Sequence, residues 1–135
     1  MKQIPERPPK ALVDAARKAR GRARSSYSGF KVGAALETDS GKIYTGCNIE
    51  NASYGLSLCA ERVALVKALS EGARRFRTLV VVTEAKRVTP PCGACRQLLW
   101  EYCGNIPVYL SSARGETTRH RLGELLPHPF DRRSL

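Results

Sequence analysis

After Pro8-Pro9, apolar residues recur at three- and four-residue spacing (Ala11, Leu12, Ala15, Ala16, Ala19) with Lys and Arg between them. That spacing predicts an amphipathic helix with a basic outer face, ending near Gly21. Phe30–Glu37 and Lys42–Cys47 flank Asp39-Ser40-Gly41 and read as a β-hairpin. The small residues Gly33, Ala34 and Ala35 call for something packed closely on the first strand. From Cys59 to Glu71, Val63, Ala64, Val66, Ala68 and Leu69 give a helix apolar over much of its surface and therefore central, stopped at Gly72. Thr78–Thr83 is an unbroken β-branched run, the pattern of a strand covered on both faces. Cys92–Cys103 then reads as a helix and Pro107–Leu110 as a strand, which completes a β-α-β unit. A further strand around Glu116–His120 and a terminal helix around Leu122–Leu126 finish the chain.

The pattern thus predicts one α/β domain over residues 1–135, a layered structure with a sheet of about five strands. Length and composition agree: 135 residues, 42% apolar and 26% charged, suffice for one packed core without disulfide staples. No internal repeat or linker interrupts the pattern. The first twenty residues lack the apolar stretch of a signal peptide and nothing approaches a membrane span, so a cytoplasmic location is expected. The net charge of +11 raises the question of nucleic acid, but an excess of six sits on residues 1–24 alone. Five cysteines in a reducing compartment are more naturally ligands, nucleophiles or buried small side chains than disulfide partners.

Cys92-Gly93-Ala94-Cys95 follows a proline pair at the start of a predicted helix. Cysteines so placed share one side of the first turn, where unpaired N–H groups and the positive helix end favour thiolates. Zinc is the natural guest, although a redox pair or a structural knuckle has the same spacing. A third ligand must come from elsewhere, and Cys59 opens the other apolar helix with Glu61 two residues on. Residues two apart on a helix diverge by about 200°, so both face one metal only if Cys59 sits before regular helix begins. Three protein ligands leave a fourth position for water, the arrangement of a catalytic zinc. Zinc with three thiolates carries a formal charge of −1, which blunts its acidity. The two helix N-termini and Arg62 are the candidates to offset it. Without the cysteines, Glu61 reads as an ordinary first-turn glutamate. Cys47 and Cys103 read as buried small hydrophobes.

Cys59-Ala60-Glu61 with Pro91-Cys92-Gly93-Ala94-Cys95 matches the nucleobase-deaminase signature. Residues 27–35 (YSGFKVGAA), 46–55 (GCNIENASYG), Cys59-Ala60-Glu61-Arg62 and Cys92-Gly93-Ala94-Cys95-Arg96-Gln97 resemble the small homotetrameric cytidine deaminases, over nearly the full chain. The resemblance implies a three-layer fold with a mixed sheet and helices on both faces, a Zn²⁺ cofactor on Cys59, Cys92 and Cys95, and hydrolytic deamination of cytidine or deoxycytidine with Glu61 as proton shuttle. It places Phe30 beside the base, Asn48 and Glu50 at the ribose 3′-hydroxyl, and Ala60 among the substrate contacts. Tyr54 and Phe130 complete a neighbouring subunit's pocket in a shared active site. Arg62 hydrogen-bonds the thiolates, with Gln97 also behind the ligands. Gly29, where asparagine is common, and the run from Ala85 to Thr89 depart from the family pattern without touching the metal or proton-transfer positions.

Two rivals remain at this stage. A blasticidin-S deaminase shares the fold, but Asn48-Ile49-Glu50-Asn51 and Glu61-Arg62 favour the nucleoside enzyme. A basic zinc protein that binds or edits nucleic acid would suit the charge, yet a Glu50 carboxylate near the 3′-hydroxyl repels the phosphate a polynucleotide carries there. A free nucleoside, with no nucleic acid and no membrane as partner, is the expected ligand.

Overall fold

The computed structural model describes residues 3–135. Its order of elements is α1 (Lys10–Arg20), β1 (Val32–Thr38), β2 (Ile43–Cys47), α2 (Ala60–Ser70), β3 (Phe76–Thr83), α3 (Gly93–Cys103), β4 (Pro107–Ser111), β5 (Thr117–Arg121) and α4 (Leu122–Leu125). Single 3-10 turns at Tyr54–Leu56 and Arg132–Ser134, too short to carry a periodic signal, complete it. The five strands form one sheet in the order β2-β1-β3-β4-β5. Only the β3–β4 pair is parallel, joined through α3, and the other three pairs are antiparallel. The sheet is therefore mixed, as expected.

Alternation along the strands divides the core in two. Ala35, Val80, Val82 and Tyr109 meet Leu12 and Ala16 of α1 on one face. Ala34, Leu36, Leu79, Val81, Val108 and Leu110 meet α2, α3 and α4 on the other, with Ala60, Ala64, Leu65, Leu99 and Leu122. Because successive side chains of a strand point to opposite faces, the continuous run in β3 serves both layers. The helix α2 is less central than its composition suggests: Ala64, Leu65 and Ala68 are buried, whereas Val66 is 46% exposed.

Two glycines set the spacing of the layers. A Cβ on Gly33 of β1 would lie 2.0 Å from the Ala16 carbonyl oxygen and 2.6 Å from the Arg20 nitrogen, so α1 rests directly on the strand backbone. A Cβ on Gly46 of β2 would lie 2.3 Å from the Ala60 carbonyl oxygen and 2.6 Å from the Ala64 nitrogen. The first turn of α2 is thereby seated against β2.

The hairpin differs from expectation at its start. β1 begins at Val32, not Phe30. The Asn48 side chain donates to the Phe30 carbonyl (2.7 Å) and accepts from the Val32 amide (2.9 Å), taking the place of a ladder partner and bending residues 30–31 off the sheet. β3 starts earlier than predicted because Phe76 pairs with Thr38 across a bulge.

Candidate active site

Cys59 is the residue before α2, in extended conformation (φ −76°, ψ 152°), and Cys92 stands likewise before α3 (φ −66°, ψ 164°). The geometric demand on Cys59 and Glu61 is thus met: the cysteine precedes the helix and the glutamate lies in its first turn. Cys95 follows one turn into α3 and is 1% exposed. The three sulfurs lie within 4.8 Å of one another, with Cys59 and Cys92 at 3.7 Å. Zinc–sulfur bonds of about 2.3 Å in a tetrahedron hold sulfurs about 3.8 Å apart, so the donor set fits zinc with one position to spare. Among the described residues these are the one group of three or more His, Cys, Asp or Glu side chains so placed.

The electrostatics favour thiolate at Cys59. Hydrogen bonding from Cys95 and then Cys92, helped by the positive charge of Arg62, outweighs burial and pulls the Cys59 thiol down to about 6. Cys95, bonded to Cys59 and buried, is held up as the protonated partner until a metal replaces its proton. Both flanking cysteines sit at helix starts that no side chain caps, so the N-terminal dipoles are free to face sulfur. Arg62 reaches the cluster as charge and not through the expected hydrogen bond: among the described residues it makes none to a sulfur, and its Nε is buried without an acceptor. Such an orphaned donor beside three thiolates fits an anionic metal–thiolate group.

Glu61 is 4% exposed. Burial, and after it the nearby Cys59, pushes its carboxyl up to about 7 against the hydrogen bond from its own backbone amide. It lines a cavity of about 300 Å³ with Phe30, Asn48, Glu50, Cys59, Ala60 and Cys92. The structure therefore gathers one expected set into a single chamber between the sheet and the start of α2.

The sugar-side pair behaves more specifically than the sequence suggested. Glu50 accepts from the Tyr27 amide (3.0 Å), the Ser28 amide (2.9 Å) and the Ser28 hydroxyl, and these bonds, the Ser28 hydroxyl first, hold its carboxyl below the usual range. Asn48 fastens the ends of residues 30–32 as described. Both residues thus shape the loop that carries Phe30 as well as lining the cavity.

Tyr54 and Phe130 are not part of this chamber. Tyr54 is 76% exposed at the rim, edge-on to Tyr27 at 6.2 Å, and Phe130 is 64% exposed. Gln97 lies outside the chamber too, where its side-chain amide donates to the Phe130 carbonyl (2.7 Å) and ties the end of the chain to α3. Trp100 Nε1 adds a bond to Asp131 (2.9 Å). Sequence reasoning missed Arg96, which donates to the carbonyls of Pro91 and Leu125, both at 2.7 Å, and so pins the approach to Cys92 against α4. It also missed Val81 and Thr83, which reach the chamber from the end of β3. A polar residue closing a β-branched run was the available signal. A larger, shallower groove between α1 and β5 mixes Arg7, Lys10, Arg17 and Arg119 with Glu6 and Asp14 and, among the described residues, gathers no group of three or more His, Cys, Asp or Glu side chains.

Known proteins agree with this geometry. Residues 7–110 match the family model described as the cytidine and deoxycytidylate deaminase zinc-binding region. The chain is 46% identical over 125 residues to a cytidine deaminase of Sporosarcina psychrophila, covering 92% of each, and 49% identical over 120 residues to one of Halalkalibacterium halodurans, covering 88% of this chain and 91% of that one. A crystal structure of cytidine deaminase from Burkholderia pseudomallei superposes with a TM-score of 0.86 at 48% identity, over 89% of this chain and 97% of that one. A blasticidin-S deaminase of Bacillus cereus is more distant, at 33% identity over 75% of this chain and 77% of its own. By the family model that spans residues 7–110 and by these relatives, the chain, with its three convergent thiols and buried glutamate, belongs to the cytidine and deoxycytidylate deaminase family.

Proposed function

We propose that the protein hydrolyses the 4-amino group of cytidine and deoxycytidine, releasing uridine or deoxyuridine and ammonia. The observation that carries this reading is a buried carboxyl, Glu61, sharing a chamber with Cys59 and Cys92, whose sulfurs converge with that of Cys95. Cys59, Cys92 and Cys95 would hold zinc, which would supply the Lewis acidity that makes water nucleophilic near neutral pH. Glu61 takes a proton from that water and delivers it to N3 of the pyrimidine as C4 is attacked. It then moves the second water proton to the amino nitrogen, so that the C4–N bond breaks and ammonia leaves. Phe30 walls the base, and Ala60, buried at the first position of α2, closes the side next to Glu61.

Glu50 favours a free nucleoside over a polynucleotide. Its carboxyl is held ionised by the Ser28 and Tyr27 bonds, and that charge repels a phosphate on the sugar while accepting from a hydroxyl. No helix among the described residues is long and apolar enough to cross a membrane, which suits a cytoplasmic enzyme of pyrimidine salvage. The same reading makes the protein a homotetramer in which Tyr54 and Phe130, exposed in one chain, close a neighbour's chamber. Sedimentation at micromolar concentration should give a four-chain species, and a stable monomer with full activity refutes shared sites.

The direct test is cytidine turnover followed by ammonia or uridine release, with Glu61→Ala alongside and blasticidin S as competitor substrate. Wild type should prefer cytidine, and Glu61→Ala should keep zinc and lose turnover. Normal turnover in the variant removes Glu61 from the proton transfer. An inactive wild type removes the substrate.

A further inference from the structure

Among the described residues two buried side-chain polar atoms have no hydrogen-bond partner in the chain, Arg62 Nε and Thr83 Oγ1. The first belongs to the thiolate cluster. The second is on the last residue of β3, 1% exposed, on the same sheet face as Leu79 and Val81 and therefore on the side of α2. Thr83 lines the chamber with Glu61, and the lining around them, Phe30, Val32, Ala60 and Val81, is apolar. A hydroxyl withdrawn from water and left unpaired is costly, and a valine would fill the same volume without that cost.

The hydroxyl is also held in place. Arg20 of α1, on the opposite face of the sheet, donates from Nη1 to the Thr83 carbonyl at 2.8 Å. The close seat of α1 on Gly33 lets it reach that far, and Val32 is the strand neighbour of Thr83 in β1. The backbone is thus anchored from behind while the side chain faces the chamber.

Depth decides which part of a nucleoside meets it. Ser28 is exposed and Glu50 half-buried at the outer end, whereas Glu61 at 4% and Thr83 at 1% exposure form the inner end. The base must lie inward for Glu61 to reach it, and the sugar outward. We propose that Thr83 is a specificity-determining residue whose hydroxyl hydrogen-bonds the polar edge of the pyrimidine ring when a nucleoside fills the chamber. A hydroxyl both donates and accepts, so it can pair with a carbonyl oxygen or a nitrogen of the base. A site built to form such a bond discriminates against bases that cannot return it. This rests on the nucleoside reading above.

The test compares Thr83→Val and Thr83→Ser with wild type in kcat/KM for cytidine, in the inhibition constant of uridine, and in thermal midpoint. Thr83→Val should lose about tenfold in kcat/KM, the worth of one neutral hydrogen bond. It should bind uridine correspondingly more weakly and melt no lower than wild type. Thr83→Ser should stay within about threefold of wild type. The proposal is overturned if Thr83→Val keeps wild-type kcat/KM, if Thr83→Ser falls as far as Thr83→Val, or if Thr83→Val melts lower, which would reveal a partner within the protein. Absence of wild-type turnover is a separate result and removes the nucleoside reading along with this one.

Discussion

Replacing Gly46 by alanine adds one carbon where the first turn of α2 presses on β2. The new Cβ would stand 2.3 Å from the Ala60 carbonyl oxygen, 2.6 Å from the Ala64 nitrogen and 3.0 Å from the Val63 Cβ. An ordinary carbon–oxygen contact is about 3.3 Å, so helix or strand must yield by about 1 Å. Two of the three atoms are backbone, and no rotamer change relieves them. Overpacking of this kind costs about 1–3 kcal/mol, which at about 4 °C per kcal/mol lowers the midpoint by roughly 4–12 °C. The functional loss should be larger in proportion, because the displaced turn carries Cys59 and Glu61. A shift of about 1 Å at reacting groups is worth about a hundredfold in rate. Circular-dichroism melts, zinc content and cytidine kinetics should be measured together, with Gly21→Ala as the control. At Gly21 an added Cβ meets only the Lys18 carbonyl oxygen, at 3.4 Å. If Gly46→Ala melts within a degree or two of wild type and keeps its kcat/KM, the idea that β2 positions the catalytic turn is wrong.

Two further outcomes test the surroundings of the chamber. Arg62→Ala should weaken zinc binding or turnover by about 10- to 100-fold, as loss of an outer partner does at metal sites; competition with a chromophoric chelator measures it, and an unchanged zinc affinity with unchanged turnover contradicts the charge-balance argument. Asp131 accepts from Arg133 and Trp100, and these bonds, Arg133 first, hold its carboxyl well below the ordinary range. A depressed carboxyl contributes stabilisation that is complete above its unfolded value near 4 and is lost as pH falls through the folded value. Fluorescence of Trp100, the one tryptophan in the chain, should therefore stay level from pH 7 to about 4 and change only in stronger acid. Asp131→Ala should shift it already at pH 7. A midpoint near 4, or no response to Asp131→Ala, counts against this tie.

The chemistry was legible because it is local. Cys59-Ala60-Glu61 and Cys92-Gly93-Ala94-Cys95 each sit at a helix start, and a helix start fixes side-chain directions within a few residues. The β-α-β unit was legible for the same reason, since TLVVVT and the helix after Pro91 carry different periods. What stayed hidden depends on partners distant in sequence. Phe30 and Lys31 have a strand-like pattern, but Asn48, about eighteen residues on, takes the bonds a ladder would have made. Thr83 looked like one more β-branched residue of a covered strand, and only the cavity at its end gives the hydroxyl a meaning. Phe130 reads as a substrate contact by resemblance, while in one chain it is tied by its carbonyl to Gln97 and stays outside the chamber.

The eleven residues of α3 carry three separate duties in fixed angular relation: Cys95 to the metal, Arg96 to Pro91 and Leu125, and Gln97 with Trp100 to the end of the chain. One residue inserted between Cys95 and Trp100 would rotate the later duties by about 100° and advance them by about 1.5 Å against the first. Substitutions along this helix can be absorbed one side chain at a time, but a change in its length cannot. Related chains are therefore expected to vary at the exposed Lys86 and Arg87 and to keep the count of residues from Cys92 to Trp100 without gaps.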